Sequence, residues 1–198
     1  MVKNPKNLDL SEVLDIKKIE AVNKPIEKAH GLPNQCYTSE KYLMIEKERV
    51  FQDKWTAIGI ASSVPKPGDA LPYNLLGIPL IILRDKESKI RVFHNVCSHR
   101  GYKLLHKPCS LKNLLRCPYH SWSYDLEGKL VATPHIGGQN IHETEKFEKS
   151  KSNLKEVRSK IWMDIIFINI NNNEIEFNEY VRPLEDRWLK FISKDDQN

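Results

Sequence analysis

Asn95-Val96-Cys97-Ser98-His99-Arg100-Gly101 and Cys117-Pro118-Tyr119-His120-Ser121-Trp122-Ser123-Tyr124-Asp125 are the stretches from which the rest of the chain can be read. Each offers one thiol and one imidazole. Cys97 and His99 stand one residue apart, 17 residues separate His99 from Cys117, and His120 follows Cys117 with two residues between. Cys-x-His brings both side chains to one loop tip, pointing the same way. Cys-x-x-His does the same at a second tip. Two facing loops of this kind can clasp an inorganic cluster between them.

Thiolates bind ferric iron strongly, whereas neutral imidazole is a weaker donor and leaves its iron easier to reduce. Two cysteines on one iron and two histidines on the other define the mixed-ligand Rieske [2Fe–2S] centre. Cys97, His99, Cys117 and His120 are therefore the candidate ligands. The rival is a Cys2His2 zinc site. Zinc fingers usually pair cysteine with cysteine and histidine with histidine, whereas here each half is mixed and the first half is tighter than a usual zinc knuckle.

The flanking sequence predicts a mainly β fold: an antiparallel β domain carrying two cluster-binding loops at one tip, with helices at the chain ends. Trp55 to Ala61 is a short alternating apolar run, and Val64-Pro65-Lys66-Pro67-Gly68-Asp69 a turn cluster. Pro79 to Arg84 and Ile90 to Val96 read as strands, and Tyr124 to Leu130 as a hairpin with Gly128 supplying positive φ. Ile161 to Ile170 reads as one late strand, broken by Asn171-Asn172-Asn173. Helices are expected over 10–22 and from Glu40 to Trp55, the second capped by Ser39, with Leu43, Val50 and Phe51 inward. A closing helix is expected over 178–191, its start limited by Pro183. The domain reading is an N-terminal helical extension (1–36), the cluster domain (37–175) and a C-terminal helical tail (176–198).

Bulk properties narrow the function. The 198 residues are 40% hydrophobic and 29% charged, with a formal charge of +5, which describes a globular chain rather than a disordered one. Lysines and acids read as interspersed, without a run of like charges, giving a solvated, mildly basic surface. A docking face for an acidic partner is the sharper alternative. No basic helix with interleaved aromatics supports nucleic-acid binding. The polar N-terminus does not read as a secretory signal, and no apolar run approaches the roughly 18 residues of a membrane span. The expectation is a cytoplasmic protein with no membrane partner. Four cysteines in a chain of this length do not suggest a disulfide scaffold.

The two cluster stretches, followed by Gly128-Lys129-Leu130, resemble the N-terminal Rieske domain of ring-hydroxylating-type oxygenase α subunits. Trp55, Pro67-Gly68-Asp69 and Ile161-Trp162-Met163-Asp164 fit the same pattern, and the similarity runs from about Tyr37 to about Phe191. Within the family it is nearest the subgroup acting on quaternary ammonium compounds such as choline, betaine or carnitine. The resemblance implies a Rieske [2Fe–2S] cofactor and an NAD(P)H-dependent reductase or ferredoxin as electron donor. It also implies a catalytic domain, lying beyond the Rieske domain, with mononuclear iron on two histidines and a carboxylate. The disulfide cysteines of respiratory Rieske proteins are replaced by Tyr102 and Tyr119. Small Rieske ferredoxins usually lack Arg100-Gly101 and such long flanks.

Other residues near the ligands have expected roles. Arg100 is placed on loop carbonyls, Trp122 as a shield against water, and Tyr119 and Ser121 as possible donors toward sulfur. Cys36 and Cys109 have no ligand partner at a useful spacing; Cys109 reads as a small loop side chain or a site of oxidation. His30, His94, His106, His135 and His142 read as exposed loop histidines, although His135, His142 and Glu143 can be imagined as an iron triad. The leading function is one-electron transfer within an oxygenase system, with a separate catalytic chain, the polypeptide not oxygenating by itself. The rivals are a truncated oxygenase α subunit and a non-enzymatic iron–sulfur redox sensor.

Overall fold

In the computed structural model, residues 10–172, 175–188 and 191 are described. Readings that fall on 1–9, 173–174, 189–190 and 192–198 lie outside them. The chain divides into two compact units, 1–54 and 55–198.

The first unit is helical. The helix expected over 10–22 is interrupted: a 3-10 turn (Leu10–Glu12) precedes α1 (Ile16–Val22), because Asp15 adopts extended backbone and its side chain accepts from the Lys17 N–H. That is N-cap chemistry, which starts a helix rather than continuing one. A short α2 (Gln35–Thr38) leads to α3 (Glu40–Glu46), capped by Ser39 accepting from the Tyr42 N–H. The continuation, Lys47–Gln52, is wound as a π-helix. The wider winding changes the facing residues. Leu43 and Val50 are 49% and 48% exposed, and Ile45 is the buried residue instead.

The second unit is antiparallel β, as its sequence predicts. Its strands are β1 (Thr56–Ile60), β2 (Asp69–Leu75), β3 (Ile78–Arg84), β4 (Ile90–His94), β5 (Cys109–Ser110), β6 (Leu114–Arg116), β7 (Ser123–Asp125), β8 (Leu130–Ala132), β9 (Glu156–Trp162) and β10 (Ile165–Asn169). Seven form one sheet in the order β1-β10-β9-β4-β3-β2-β5, and β6-β7-β8 form a second. β3 explains the continuous apolar run of Leu80-Ile81-Ile82-Leu83. All four side chains are buried, Ile81 and Leu83 in the core shared with the second sheet and Leu80 and Ile82 on the other face. A strand covered on both faces has no reason to alternate.

The late strand expected over 161–170 is two strands. Met163 and Asp164, at φ 48° and 67°, form a two-residue turn between β9 and β10, with Trp162 paired to Ile165. Positive φ at both positions matches the strand twist. Asp164 pays for its backbone by accepting from the Ser62 N–H at 3.0 Å and the Ser62 hydroxyl at 2.6 Å. With no glycine in it, the turn carries little sequence signal.

The closing helix is α4 (Phe177–Trp188), and Pro183 lies inside it rather than near its start. Proline removes one helical hydrogen bond, and packing offsets the loss. Phe177 and Val181 bury against Trp55, the Trp55 indole N–H donates to Ile175 O at 3.0 Å, and the Tyr180 hydroxyl donates to Trp55 O at 3.1 Å.

Gly68 locks β5 to the sheet. Its φ is +90°, its carbonyl accepts from the Leu111 N–H, and an added Cβ would lie 2.0 Å from Leu111 O. Gly68→Ala combines left-handed strain with a backbone clash that no rotamer relieves. A loss of about 3 kcal/mol is expected, read as the shift in a urea unfolding midpoint. An unchanged midpoint would contradict this packing.

Candidate iron–sulfur site

The two loops are built alike. The Cys97 N–H donates to Tyr102 O at 2.8 Å and the Gly101 N–H to Cys97 O at 3.0 Å. The Cys117 N–H donates to Trp122 O at 2.8 Å and the Ser121 N–H to Cys117 O at 3.0 Å. The fourth residue after each cysteine, Gly101 or Ser121, has positive φ, at 70° and 61°. Each loop therefore turns its cysteine back into the protein while carrying the following imidazole outward. Asn95, fully buried at the end of β4, ties the first loop to itself. It donates to Leu105 O at 2.7 Å and accepts from the N–H groups of Leu104 and Leu105 at 3.0 and 2.8 Å. The role of Asn95 has no spacing signal, because its partners lie ten residues away.

The loops bring all four predicted residues together. Cys97 and Cys117 are 1% and 2% exposed and belong to the main core. The imidazoles of His99 and His120 meet edge to face at 4.8 Å between ring centres. His99 stacks on buried Trp122 at 4.6 Å and 12°, and Tyr119 covers His120 at 3.7 Å. Trp122 thus takes the shielding place expected of it. The Nδ1 atom of His120 is buried with no hydrogen-bond partner. An orphaned acceptor of this kind is rare unless something binds it.

Electrostatics favour the iron-binding form of the His99 imidazole. Burial holds His99 below the usual imidazole range, helped by His120 and by the Arg100 cation, so the ring is neutral and free to donate. Burial pushes the Cys97 thiol up; the Tyr124 hydroxyl and the His99 backbone pull it back, and Cys117 adds to the rise. A buried thiol with this balance gives up its proton to a metal rather than to water. The donor set, two buried sulfurs and two imidazoles with one nitrogen orphaned, fits a Rieske cluster. Among the described residues no three His, Cys, Asp or Glu side chains are grouped to hold one ion, whereas a two-iron cluster asks only two side chains of each iron.

The hydrogen bond to sulfur comes from Tyr124, a residue of the second stretch with no role expected of it. The hydroxyl of Tyr124, fully buried on β7, lies 3.2 Å from Cys97 Sγ and accepts from the Ser98 N–H at 3.1 Å. Ser121 and Tyr119, the expected donors, are engaged otherwise. The Ser121 hydroxyl accepts from Arg116 at 2.8 Å, and Tyr119 packs on His120. Arg100 is exposed and makes no hydrogen bond to the loop carbonyls.

The remaining residues resolve as follows. His135 Nδ1 accepts from the Asn140 N–H at 2.9 Å and His142 Nδ1 from the His135 N–H at 3.1 Å. Each neutral ring then carries its proton on the other nitrogen, which leaves no lone pair for iron, and Glu143 is paired with Lys149 at 2.6 Å. The two rings are turn supports. His94 is not a loop histidine: it ends β4, its Nε2 is buried without a partner, and burial and then Lys155 hold its pKa down. Cys109 is in β5 rather than a loop, packed against the core, with burial pushing its thiol up.

Comparison with known proteins agrees with this geometry. Residues 54–148 match the family model of the Rieske [2Fe–2S] domain. The chain contains a Rieske [2Fe–2S] domain. The relatives that it matches include oxygenase subunits of Rieske type. The oxygenase subunit of carnitine monooxygenase from Acinetobacter baumannii is 33% identical over 145 residues, 73% of this chain and 38% of that one. Benzene 1,2-dioxygenase subunit alpha from Pseudomonas putida is 31% identical over 159 residues, 78% of this chain and 34% of that one. The crystal structure of a quaternary ammonium Rieske monooxygenase with γ-butyrobetaine superposes with a TM-score of 0.71 at 29% identity, covering 82% of this chain and 45% of that one. This chain therefore spans about two fifths of the length of these relatives. No helix among the described residues is long and apolar enough to cross a membrane.

Proposed function

We propose that this chain is a one-electron carrier of a Rieske oxygenase system, with Cys97 and Cys117 holding one iron and His99 and His120 the other. The observation that carries the reading is the enclosure of two buried thiols and the orphaned His120 Nδ1 by two matched loops. When bound, the cluster supplies a reversible one-electron couple at the histidine-ligated iron. The cysteines keep their side within the core. His99 and His120 lie nearer the surface and form the electron path, while Trp122 and Tyr119 cover their faces and keep water from the sulfurs. The donor is a reductase with NAD(P)H, or a ferredoxin, and the acceptor a separate catalytic chain. A second reading keeps the same chemistry but puts the catalytic iron on residues of the same polypeptide outside this sequence; the coverage of the relatives supports it. A reducing cytoplasm suits the four unpaired cysteines.

The redox potential tests the carrier reading. No disulfide braces the loops, and a midpoint of about −150 mV, the low end of the Rieske range, is expected. It should fall as pH rises, because oxidation makes the ligand imidazoles more acidic and reduction then takes up a proton. Tyr124→Phe removes a hydrogen bond that stabilises charge on Cys97 sulfur, most of all in the reduced state. A downward shift of about 40 mV is expected, equivalent to about 1 kcal/mol. Protein-film voltammetry giving a strongly positive, pH-independent midpoint would contradict the carrier reading; an unshifted Tyr124→Phe midpoint would contradict the role of the hydroxyl.

A further inference from the structure

The two cluster loops belong to different sheets. The first, holding Cys97 and His99, runs between β4 and β5 of the seven-stranded sheet. The second, holding Cys117 and His120, runs between β6 and β7 of the three-stranded one. Among the described residues no strand pairing joins the two sheets. Each loop closes on itself, Cys97 N–H to Tyr102 O and Cys117 N–H to Trp122 O. These bonds fix the shape of each loop but not its distance from the other. Packing in the shared core sets that distance only loosely, because apolar contacts are non-directional. A cluster that takes one cysteine and one histidine from each loop needs the distance fixed, and directional ties between the sheets supply what packing lacks.

Tyr124 provides one such tie, from β7 to Cys97 and Ser98. A second set comes from Asn153, Leu154 and Lys155, the three residues that lead into β9. The Asn153 side-chain carbonyl accepts from the Leu130 N–H on β8 at 2.9 Å, and its backbone carbonyl accepts from the Ser98 hydroxyl in the first loop at 3.1 Å. The Leu154 N–H donates to Gly128 O at 2.8 Å, and the Lys155 carbonyl accepts from the His94 N–H at 2.9 Å. This short strap is thus bonded both to the β7-β8 hairpin and to the chain that enters the first loop. Leu154 is buried in the core that holds both cysteines, whereas Asn153 is exposed. Burial therefore does not explain an asparagine here; the Leu130 N–H asks for an acceptor. Asn153 stands outside both ligand stretches, 33 residues after His120, so no motif spacing points to it.

Resting on the carrier reading above, we infer that Asn153 is a positioning residue for the cluster, holding the first ligand loop at a fixed distance from the hairpin that follows the second. It acts through Ser98, which lies between Cys97 and His99, and through Leu130, whose strand pairs with β7 directly after the second loop. Loss of the tie lets the loops drift relative to each other, which changes the ligand geometry at both irons and opens the cluster to extraction. Asn153→Ala removes the acceptor and leaves the Leu130 N–H unpaired. Asn153→Asp keeps an acceptor oxygen at the same place.

The test uses the cluster-loaded full chain, prepared without oxygen. In Asn153→Ala the g-values of the reduced EPR signal are expected to shift, and release of iron to a chelator to quicken by about tenfold, the effect of one lost hydrogen bond that leaves its donor unpaired. Asn153→Asp is expected to restore both wild-type values. Ser98→Ala cuts the tie at its other end and should move both readouts the same way. The double variant Ser98→Ala with Asn153→Ala should go no further than the larger single effect, since the two act as one tie. The Ser98→Ala arm decides the matter even where Asn153→Ala does not accumulate. Asn74→Ala is the control: Asn74 likewise lends its side-chain carbonyl to a backbone N–H, that of Gly77 at 2.6 Å, in the turn between β2 and β3. It is expected to leave g-values and iron release at the wild-type level. Wild-type behaviour in both Asn153→Ala and Ser98→Ala, an Asn153→Asp protein as labile as Asn153→Ala, or an equal change in Asn74→Ala overturns the positioning role and leaves the carrier reading standing. A wild-type chain that binds no cluster overturns both together.

Discussion

Replacing His120 with alanine is expected to abolish the cluster. The wild-type chain, purified without oxygen, should hold about two irons and two acid-labile sulfides and give a Rieske-type EPR signal on reduction. The variant loses one of two imidazoles on the outer iron and opens the ring stack of Tyr119, His120 and His99 to water. Cys109 is held in β5 by its pairing with Ala70 and does not take its place. Iron, sulfide and the EPR signal should fall together to background, and His99→Ala should behave the same. His135→Ala and His142→Ala provide the contrast: their Nδ1 atoms accept backbone N–H bonds, so cluster content should stay at the wild-type level. A His120→Ala protein with full iron and sulfide, or a wild-type protein with one zinc and no sulfide, would refute the ligand assignment.

Equally large is the expected absence of oxygenation by residues 1–198 expressed alone. A Rieske iron has every position filled, by two bridging sulfides and two side chains, whereas oxygen activation needs an open position beside bound substrate. The triad imaginable from sequence does not assemble: His135 and His142 have their acceptor nitrogens occupied, and Glu143 is paired with Lys149. With a reductase and NADH the cluster should be reduced, and oxygen should reoxidise it slowly without coupled product. Supplying a catalytic partner chain that accepts its electrons should restore substrate-dependent turnover. The check is iron counting alongside product analysis with quaternary amines and aromatic acids. A third iron per chain together with a hydroxylated or demethylated product from this polypeptide would sink the electron-transfer-only reading.

What the sequence determined by itself was local. Two cysteines and two histidines at short spacing define a ligand set because loop tips are built from near neighbours. Short apolar runs between turn residues define antiparallel strands for the same reason, and β1, β3 and β4 follow from them. Ser39 and Gly128 perform their cap and turn because those roles need only the residue and its immediate backbone. The tertiary structure decided whatever depends on partners far along the chain. The Met163-Asp164 turn rests on Ser62, about a hundred residues earlier, and α4 runs through Pro183 because its Phe177 and Val181 pack on Trp55. The hydroxyl beside Cys97 sulfur belongs to Tyr124, across two strands, and not to the adjacent motif residues. Charge divided along the same line. The acid-free stretch from Ser88 to Tyr124 was present in the sequence, but only folding gathered Arg100 and Arg116 into one groove with the ligand histidines, with no acidic residue in its lining. Electrostatic attraction depends on distance in space, and sequence spacing does not supply that distance once a chain folds back on itself.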